Sequence, residues 1–355
     1  MRVLVTGASG RVGANMVRRL LAEGYEVRAM VMPGDPHASK LDRFAEVQVV
    51  EADLADQAAI DSACEDVSHV VHLAAQLVRG ATPVDRFFDV NAFGTLRLLE
   101  GVVHAGGDIE RFVLVSSDGT YRPGAPPAVP LTENVPQEPA DYYGTAKLLG
   151  EIILRNHAVQ FGLPFSIVRF ATVVSPEEAP NIFRAGFWRS ILRWQAMGKD
   201  SHLWPLFENQ PDLAKLYDAA VRDVPADAAV GLTGPDGEPW TLSMVDVRDA
   251  VQGVYRAMTA PGAIGHPFNI AAAEPTSHDE GAAVIAETFG VPQLMVEMPM
   301  TFRLELSIDA ARERLGYEPL YDYRDMVQSA RRAVSAGEFI PAEAESGVAS
   351  TWHDG

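Results

Sequence analysis

Cysteine is almost missing: Cys64 is the only one in 355 residues. No internal disulfide can form, which suits a reducing compartment. Positive charge is scarce as well. Against 48 aspartates and glutamates stand 29 lysines and arginines, giving a net charge of −19 and a pI near 4.8. So acidic a body repels nucleic-acid phosphate and anionic lipid, and neither is an expected partner. A small phosphorylated ligand stays allowed, because it needs only local positive potential. No apolar run is long enough to span a bilayer, and the first residues lack the pattern of a cleaved leader. Repeats and biased segments are absent. The expectation is a cytoplasmic globular chain, 47% apolar and 22% charged, with length for one large or two modest domains.

What is present begins at once. Arg2-Val3-Leu4-Val5-Thr6 is a short strand pattern, and the turn Gly7-Ala8-Ser9-Gly10-Arg11-Val12-Gly13 follows it directly. Val12, Met16, Val17, Leu20 and Leu21 then recur at helical spacing. Gly7 permits a sharp turn, Gly10 the approach of a pyrophosphate, and Gly13 close packing of the helix on the strand. The free N–H groups and positive end of that helix make an anion site. A glycine turn alone is a weak signal. Placed between a strand and a helix at the head of an alternating chain, it points to dinucleotide binding.

The alternation continues, with strand patterns at 25–32, 47–54, 68–75, 111–117 and 165–170. Between them lie helical patterns, including a long one from about Pro83 to His104 and another from about Asp141 to Gln160. Such alternation predicts an α/β fold: a Rossmann-type doubly wound parallel sheet with right-handed crossovers. The pattern breaks after Phe170. Residues 175–240 hold Trp188, Trp194, Trp204, Trp240 and several prolines, and regular patterning returns at 242–258 and 268–271. The expected division is a dinucleotide-binding domain at 1–174, with return segments at about 241–273. A smaller interleaved substrate-binding lobe takes 175–240 and 274–340, and 341–355 reads as a frayed tail. Substrate belongs in the cleft between this lobe and the strand ends.

Tyr143-Gly144-Thr145-Ala146-Lys147 opens an amphipathic helix, and a spacing of four puts Tyr143 and Lys147 on one face. A lysine cation beside a phenol favours the phenolate and makes a usable base near neutral pH. Alone, such a pair usually marks a solvated face; its weight comes from Ser116-Ser117 at the end of the fifth strand, where such sheets place ligands. Metal and thiol chemistry fare worse, so no metal is expected. His69 and His72, three apart in a strand, point to opposite faces, and Cys64 lies near no obvious base.

As an ordered set these residues resemble the extended short-chain dehydrogenase/reductase family, the NAD-dependent epimerase/dehydratase type. The resemblance runs from Met1 to about Glu338. It is carried by Thr6 to Gly13, Asp53-Leu54, His72 to Ala75, Asn91 to Thr95, Ser116-Ser117, Tyr143 with Lys147, and Arg169-Phe170. Later matches are Val245 to Ala250, Phe268-Asn269-Ile270 and Ala311 to Tyr317. By this resemblance Ser117, Tyr143 and Lys147 are a catalytic triad acting on a secondary alcohol or ketone, as an epimerase or as a dehydrogenase/reductase. Gly7, Ser9, Gly10, Arg11, Val12, Gly13, Asp53, Leu54, Leu73, Ala74, Ala75, Asn91 and Ser116 would join Tyr143 and Lys147 in holding NAD or NADP. Asn91 would brace the tyrosine helix, and Asp118, Thr172 and Asn181 would meet the small-molecule substrate. The family also implies a homodimer through helices 83–104 and 141–160, with Leu148, Leu149, Ile152 and Ile153 as apolar surplus. A cofactor-sensing protein without catalysis is the rival class, against which the retained triad argues.

Three departures qualify the resemblance. Val31 and Met32 stand where an acid at the end of the second strand would select NAD. No arginine replaces it, but Ser39 or Lys40 can reach a 2′-phosphate, so the expectation is weak discrimination or a mild NADP preference. Ser117-Asp118-Gly119 lacks the glutamate that the family's dehydratases place after the aspartate, which argues against dehydration. Leu242 stands where nucleotide-sugar epimerases carry a diphosphate-clamping arginine. Arg184, Arg189 and Arg193 are the candidate substitutes, and the tryptophans are candidate walls of an apolar pocket.

Overall fold

The computed structural model describes residues 1–77, 82–122, 129–201 and 203–342. Strands β1 (Arg2–Thr6), β2 (Glu26–Val31), β3 (Gln48–Glu51), β4 (His69–His72), β5 (Arg111–Ser117) and β6 (Phe165–Phe170) form most of the main sheet. Three short strands follow: β7 (Thr172–Val174), β8 (Ala229–Thr233) and β9 (Thr241–Leu242). Next come β10 (Met244–Asp246) and β11 (Pro267–Ile270), the latter completing the main sheet. Its order is 3-2-1-4-5-6-11 and every pairing is parallel. The order reverses between β1 and β4, leaving a crevice at their carboxyl ends.

Helices cover both faces, so the strands read as unbroken apolar runs. Val3 and Val5 pack with Met16, Val17 and Leu20 of α1 (Arg11–Ala22), and with Val254 of helix Val247–Thr259. Leu4 points the other way, joining Ile60 of α2 (Gln57–Cys64) and Leu98 and Leu99 beyond it. The Pro83–His104 pattern is not one regular helix. It resolves into α3 (Val84–Phe88), a π turn at Asp89–Phe93, and α4 (Gly94–Ala105). The wider turn carries Asn91, and such turns often mark functional sites.

Helix α5 (Tyr142–Phe161) starts where the Asp141 carboxylate accepts from the Gly144 N–H at 2.6 Å, and it stops at left-handed Gly162. A buried ion pair fastens it to the sheet. Arg169 of β6 donates to both Glu151 oxygens at 2.9 and 2.7 Å and to the Tyr121 hydroxyl at 2.8 Å. Tyr121 in turn donates to Asn269 of β11 at 2.9 Å. Arg169-Phe170 and Phe268-Asn269 are therefore bracing, one helical turn beyond Lys147.

A second core lies above the carboxyl edge. Phe183, Trp188, Leu192, Tyr217, Leu232, Trp240, Ile285 and Met326 are among its buried members. Leu306, Ile308, Ala311, Leu315 and Tyr317 pack instead with the sheet-side core. The proposed frayed tail lies, from residue 343 on, outside the described residues. Among the described residues no helix is long and apolar enough to cross a membrane.

Candidate active site

The glycine turn is tight. Gly7 has φ +64°, and a Cβ there would lie 2.8 Å from the Ala74 nitrogen. A Cβ on Gly13 would fall 2.0 Å from the Gly7 carbonyl oxygen, so only glycine lets α1 start this close to β1. Gly10 is exposed at the N-terminus of α1, which has no side-chain cap and no acid in its first turn. Those features fit the pyrophosphate of a dinucleotide. Arg11 reaches across to the lobe, donating to the Val173 carbonyl at 2.9 Å and pairing with Glu178 at 2.5 Å. Val12 packs at the edge of the sheet-side core.

Beyond β2 the structure corrects one expectation and adds a residue. Lys40 does not reach toward a phosphate: it is buried, and its ammonium donates to the Ala342 carbonyl. The end of β2 carries no acid, as read from Val31 and Met32, but one stands further on. Asp35, four residues beyond β2, folds back to accept hydrogen bonds from the Ser9 hydroxyl and from the His37 N–H. Its distance from the strand end hid it from a reading of positions 31 and 32. Asp53 accepts from the Ala55 N–H at 2.9 Å, while Asp56 caps α2, and Leu54 packs beneath Gly94.

After β4, Leu73, Ala74 and Ala75 stay half-buried along the crevice. The Ala74 N–H donates to Thr6 Oγ1 at 3.1 Å. Asn91 braces this segment, accepting from the Gln76 N–H at 2.9 Å and donating to its carbonyl at 3.0 Å. Its own carbonyl abuts α5, where a Cβ on Gly150 would approach it to 3.0 Å.

Ser117 ends β5, and its Oγ donates to Asp118 Oδ1 at 3.0 Å and accepts from the Gly119 N–H at 3.0 Å. Ser116 beside it is buried. A Cβ on Gly144 would fall 2.0 Å from the Gly119 carbonyl oxygen, so glycine lets α5 dock on this turn. That contact brings Tyr143 beside Gly119 and Ser117: a Cβ on Gly119 would lie 3.6 Å from the phenol ring and 3.4 Å from Ser117 Oγ. Lys147, one turn on, donates to the Val115 carbonyl at 2.5 Å.

The electrostatics differ from the simple pair. Burial pushes the Tyr143 phenol well above its ordinary value; a Ser117 hydrogen bond opposes this, and Asp118 and Asp141 add to it. Lys147 is not what tunes the phenol here. Burial instead pulls its own ammonium down to about 8, with Glu151 opposing. Asp118 is pushed up to about 6, chiefly by burial, and so is Asp141. The spacing of four placed the two groups on one face without revealing the two carboxyls nearby.

Beside this turn opens a cavity of about 240 Å³. Asp118, Gly119, Asp141, Thr172, Glu178 and Asn181 line it, together with Trp188, Trp194, Trp240, Leu242, Phe207 and Phe302. Leu242 thus faces the cavity, and no arginine, lysine or histidine is among the described lining residues. The three candidate clamps are engaged elsewhere. Arg184 donates to the carbonyls of Pro180 and Asp227, while Arg189 and Arg193 pair with Asp218 at 2.7 and 3.7 Å. His72 is locked between Thr6 and Thr95 hydroxyls, and no cluster of potential metal ligands occurs among the described residues.

Comparison with known proteins agrees with this architecture. The NAD dependent epimerase/dehydratase family model matches residues 3–271. A UDP-glucose 4-epimerase of Mycolicibacterium smegmatis is 30% identical over 332 residues, 90% of this chain and 94% of that one. A protein of Methylococcus capsulatus named sterol demethylase protein B is 37% identical over 179 residues, 50% of this chain and 52% of its own. The crystal structure of a short-chain dehydrogenase/reductase superfamily protein from Agrobacterium tumefaciens, with bound NAD, superposes with a TM-score of 0.79. It is 30% identical, and the match covers 95% of this chain and 99% of that one. The chain belongs to the NAD-dependent epimerase/dehydratase family, and it is an NAD(P)-dependent enzyme of the extended short-chain dehydrogenase/reductase type.

Proposed function

We propose that Ser117, Tyr143 and Lys147 carry hydride chemistry at a secondary alcohol or ketone carbon seated at the mouth of the cavity. The observation that carries this is the contact at Gly144, which sets Tyr143 and Ser117 against one another beside Gly119, a residue of the cavity's lining. Bound at the glycine turn, the dinucleotide supplies the hydride donor or acceptor. Gly7, Gly10 and Gly13 would cradle it, and Ala74, Ala75 and Asn91 would line its path. Ser117, oriented by Asp118 and Gly119, is placed to hydrogen-bond the substrate oxygen. Tyr143 holds its proton at neutral pH in this environment and is set to give it to a ketone oxygen. Lys147 remains mostly a cation at pH 7. The Asp35 carboxylate on Ser9 opposes a 2′-phosphate, and with Lys40 buried the reading moves to NAD.

If the ketone stays bound, turns over and is reduced on its other face, the outcome is epimerisation; if it leaves, the enzyme is a dehydrogenase or reductase. The full-length match to an UDP-glucose 4-epimerase favours the first, and the cavity lining favours the second. Tyr143→Phe is expected to cut kcat by about 10²–10⁴-fold with NAD binding largely intact. Undiminished turnover, read from nicotinamide absorbance for net oxidation or reduction and from the product's configuration for epimerisation, would refute the assignment.

The reading includes a homodimer through helices 83–104 and 141–160. Phe93, Leu149, Ile152, Val159 and Phe161 leave apolar surface exposed there, more than a solitary helix face carries. Sedimentation at micromolar concentration is expected to give a dimer, and Ile152→Asp a monomer; a monomeric wild type overturns this. A cytoplasmic setting suits the lone buried thiol of Cys64.

A further inference from the structure

The cavity's chemistry is lopsided. Every ionisable side chain lining it among the described residues is an acid or a tyrosine: Asp118, Asp141, Glu178 and Tyr121. Of these, Glu178 is already paired with Arg11, and burial holds Asp118 and Asp141 near 6. The deeper wall is aromatic and aliphatic, built from Trp188, Ile191, Phe207, Trp240, Leu242 and Phe302. A diphosphate placed here would lose its water beside carboxyls and hydrocarbon, with no cation or fork of donors among the described lining residues in return. An apolar body placed here gains about 25 cal/mol per Å² removed from water.

We infer, resting on the hydride reading above, that the substrate is an uncharged alcohol or ketone on a bulky apolar body, and not a nucleotide sugar. Its reacting oxygen lies at the Ser117–Gly119 end and its body fills the tryptophan-walled depth. Leu242, in place of a clamp, is the residue that sets this preference.

The test uses the NAD-loaded protein and its own tryptophans, three of which line the cavity. Titration with 2-decalone, an uncharged bicyclic ketone, is expected to quench or shift the tryptophan fluorescence saturably. UDP and UDP-glucose are expected to leave it unchanged up to millimolar concentration. Leu242→Arg should weaken 2-decalone at least tenfold and let UDP bind, with NAD affinity retained as the check on folding. Sub-millimolar binding of UDP to the wild type, conversion of UDP-glucose into its epimer, or no response to 2-decalone would each overturn the inference. Tighter binding of the cation 2-aminodecalin than of 2-decalone would overturn its uncharged character. Because fluorescence reads binding alone, Tyr143→Phe separates the two proposals. If 2-decalone binds but the wild-type chain oxidises no added NADH with it, the hydride reading fails while the cavity's chemistry stands.

Discussion

The sheet side and the lobe build their sites by different means. On the sheet side the functional groups are placed by backbone meeting backbone: α1 on the β1 turn through Gly13, α5 on the Ser117–Gly119 turn through Gly144. A buried ion pair between Arg169 and Glu151 then fastens α5. The lobe makes its share of the cavity wall from side chains, brought together from segments between residues 172 and 304 to face Asp118, Gly119 and Asp141 of the sheet side. Backbone contact leaves little freedom to drift, whereas a wall of side chains can be relined without disturbing the frame. The same frame can therefore keep one chemistry while the lobe changes what it is applied to.

Breaking each side should give unequal losses. Arg169→Met strands the Glu151 carboxylate in the core, and is expected to cost about 3–5 kcal/mol of stability by urea unfolding. Leu206→Ala, in a half-buried cavity wall, should cost about 1 kcal/mol, since one side already faces open space. Equal costs would erase the distinction drawn between frame and wall.

A smaller effect concerns pH. Lys147 is a cation below about 8 and neutral above it. A rate that depends on that charge is full below this value and falls as pH rises through it. Lys147→Arg, whose guanidinium does not titrate in this range, should remove the fall. A wild-type profile flat to pH 10 would show that the charge plays no part.

These two modes also explain how much could be read from the sequence. The glycine turn, the alternation of the sheet and the Tyr143–Lys147 spacing are local, so a linear reading finds them. Leu242 was legible as a missing arginine because one position decides it. Asp35 was not, since its carboxylate reaches Ser9 only after a proline- and glycine-containing turn folds back. Nor was the environment of Tyr143: the raised phenol comes from burial and from Asp118 and Asp141, which approach through the docking of α5. The π turn at Asp89–Phe93 leaves the apolar spacing of a long helix nearly intact, and periodicity does not register it.

The central claim is that the Gly7–Gly13 turn holds a nicotinamide dinucleotide over the Ser117–Tyr143 contact. Isothermal titration of the purified protein with NAD and NADP tests it most directly. Saturable heat with NAD, weaker with NADP and lost in Gly13→Val while Tyr143→Phe retains it, is the predicted result. No heat from either coenzyme with the folded wild-type chain would contradict the account.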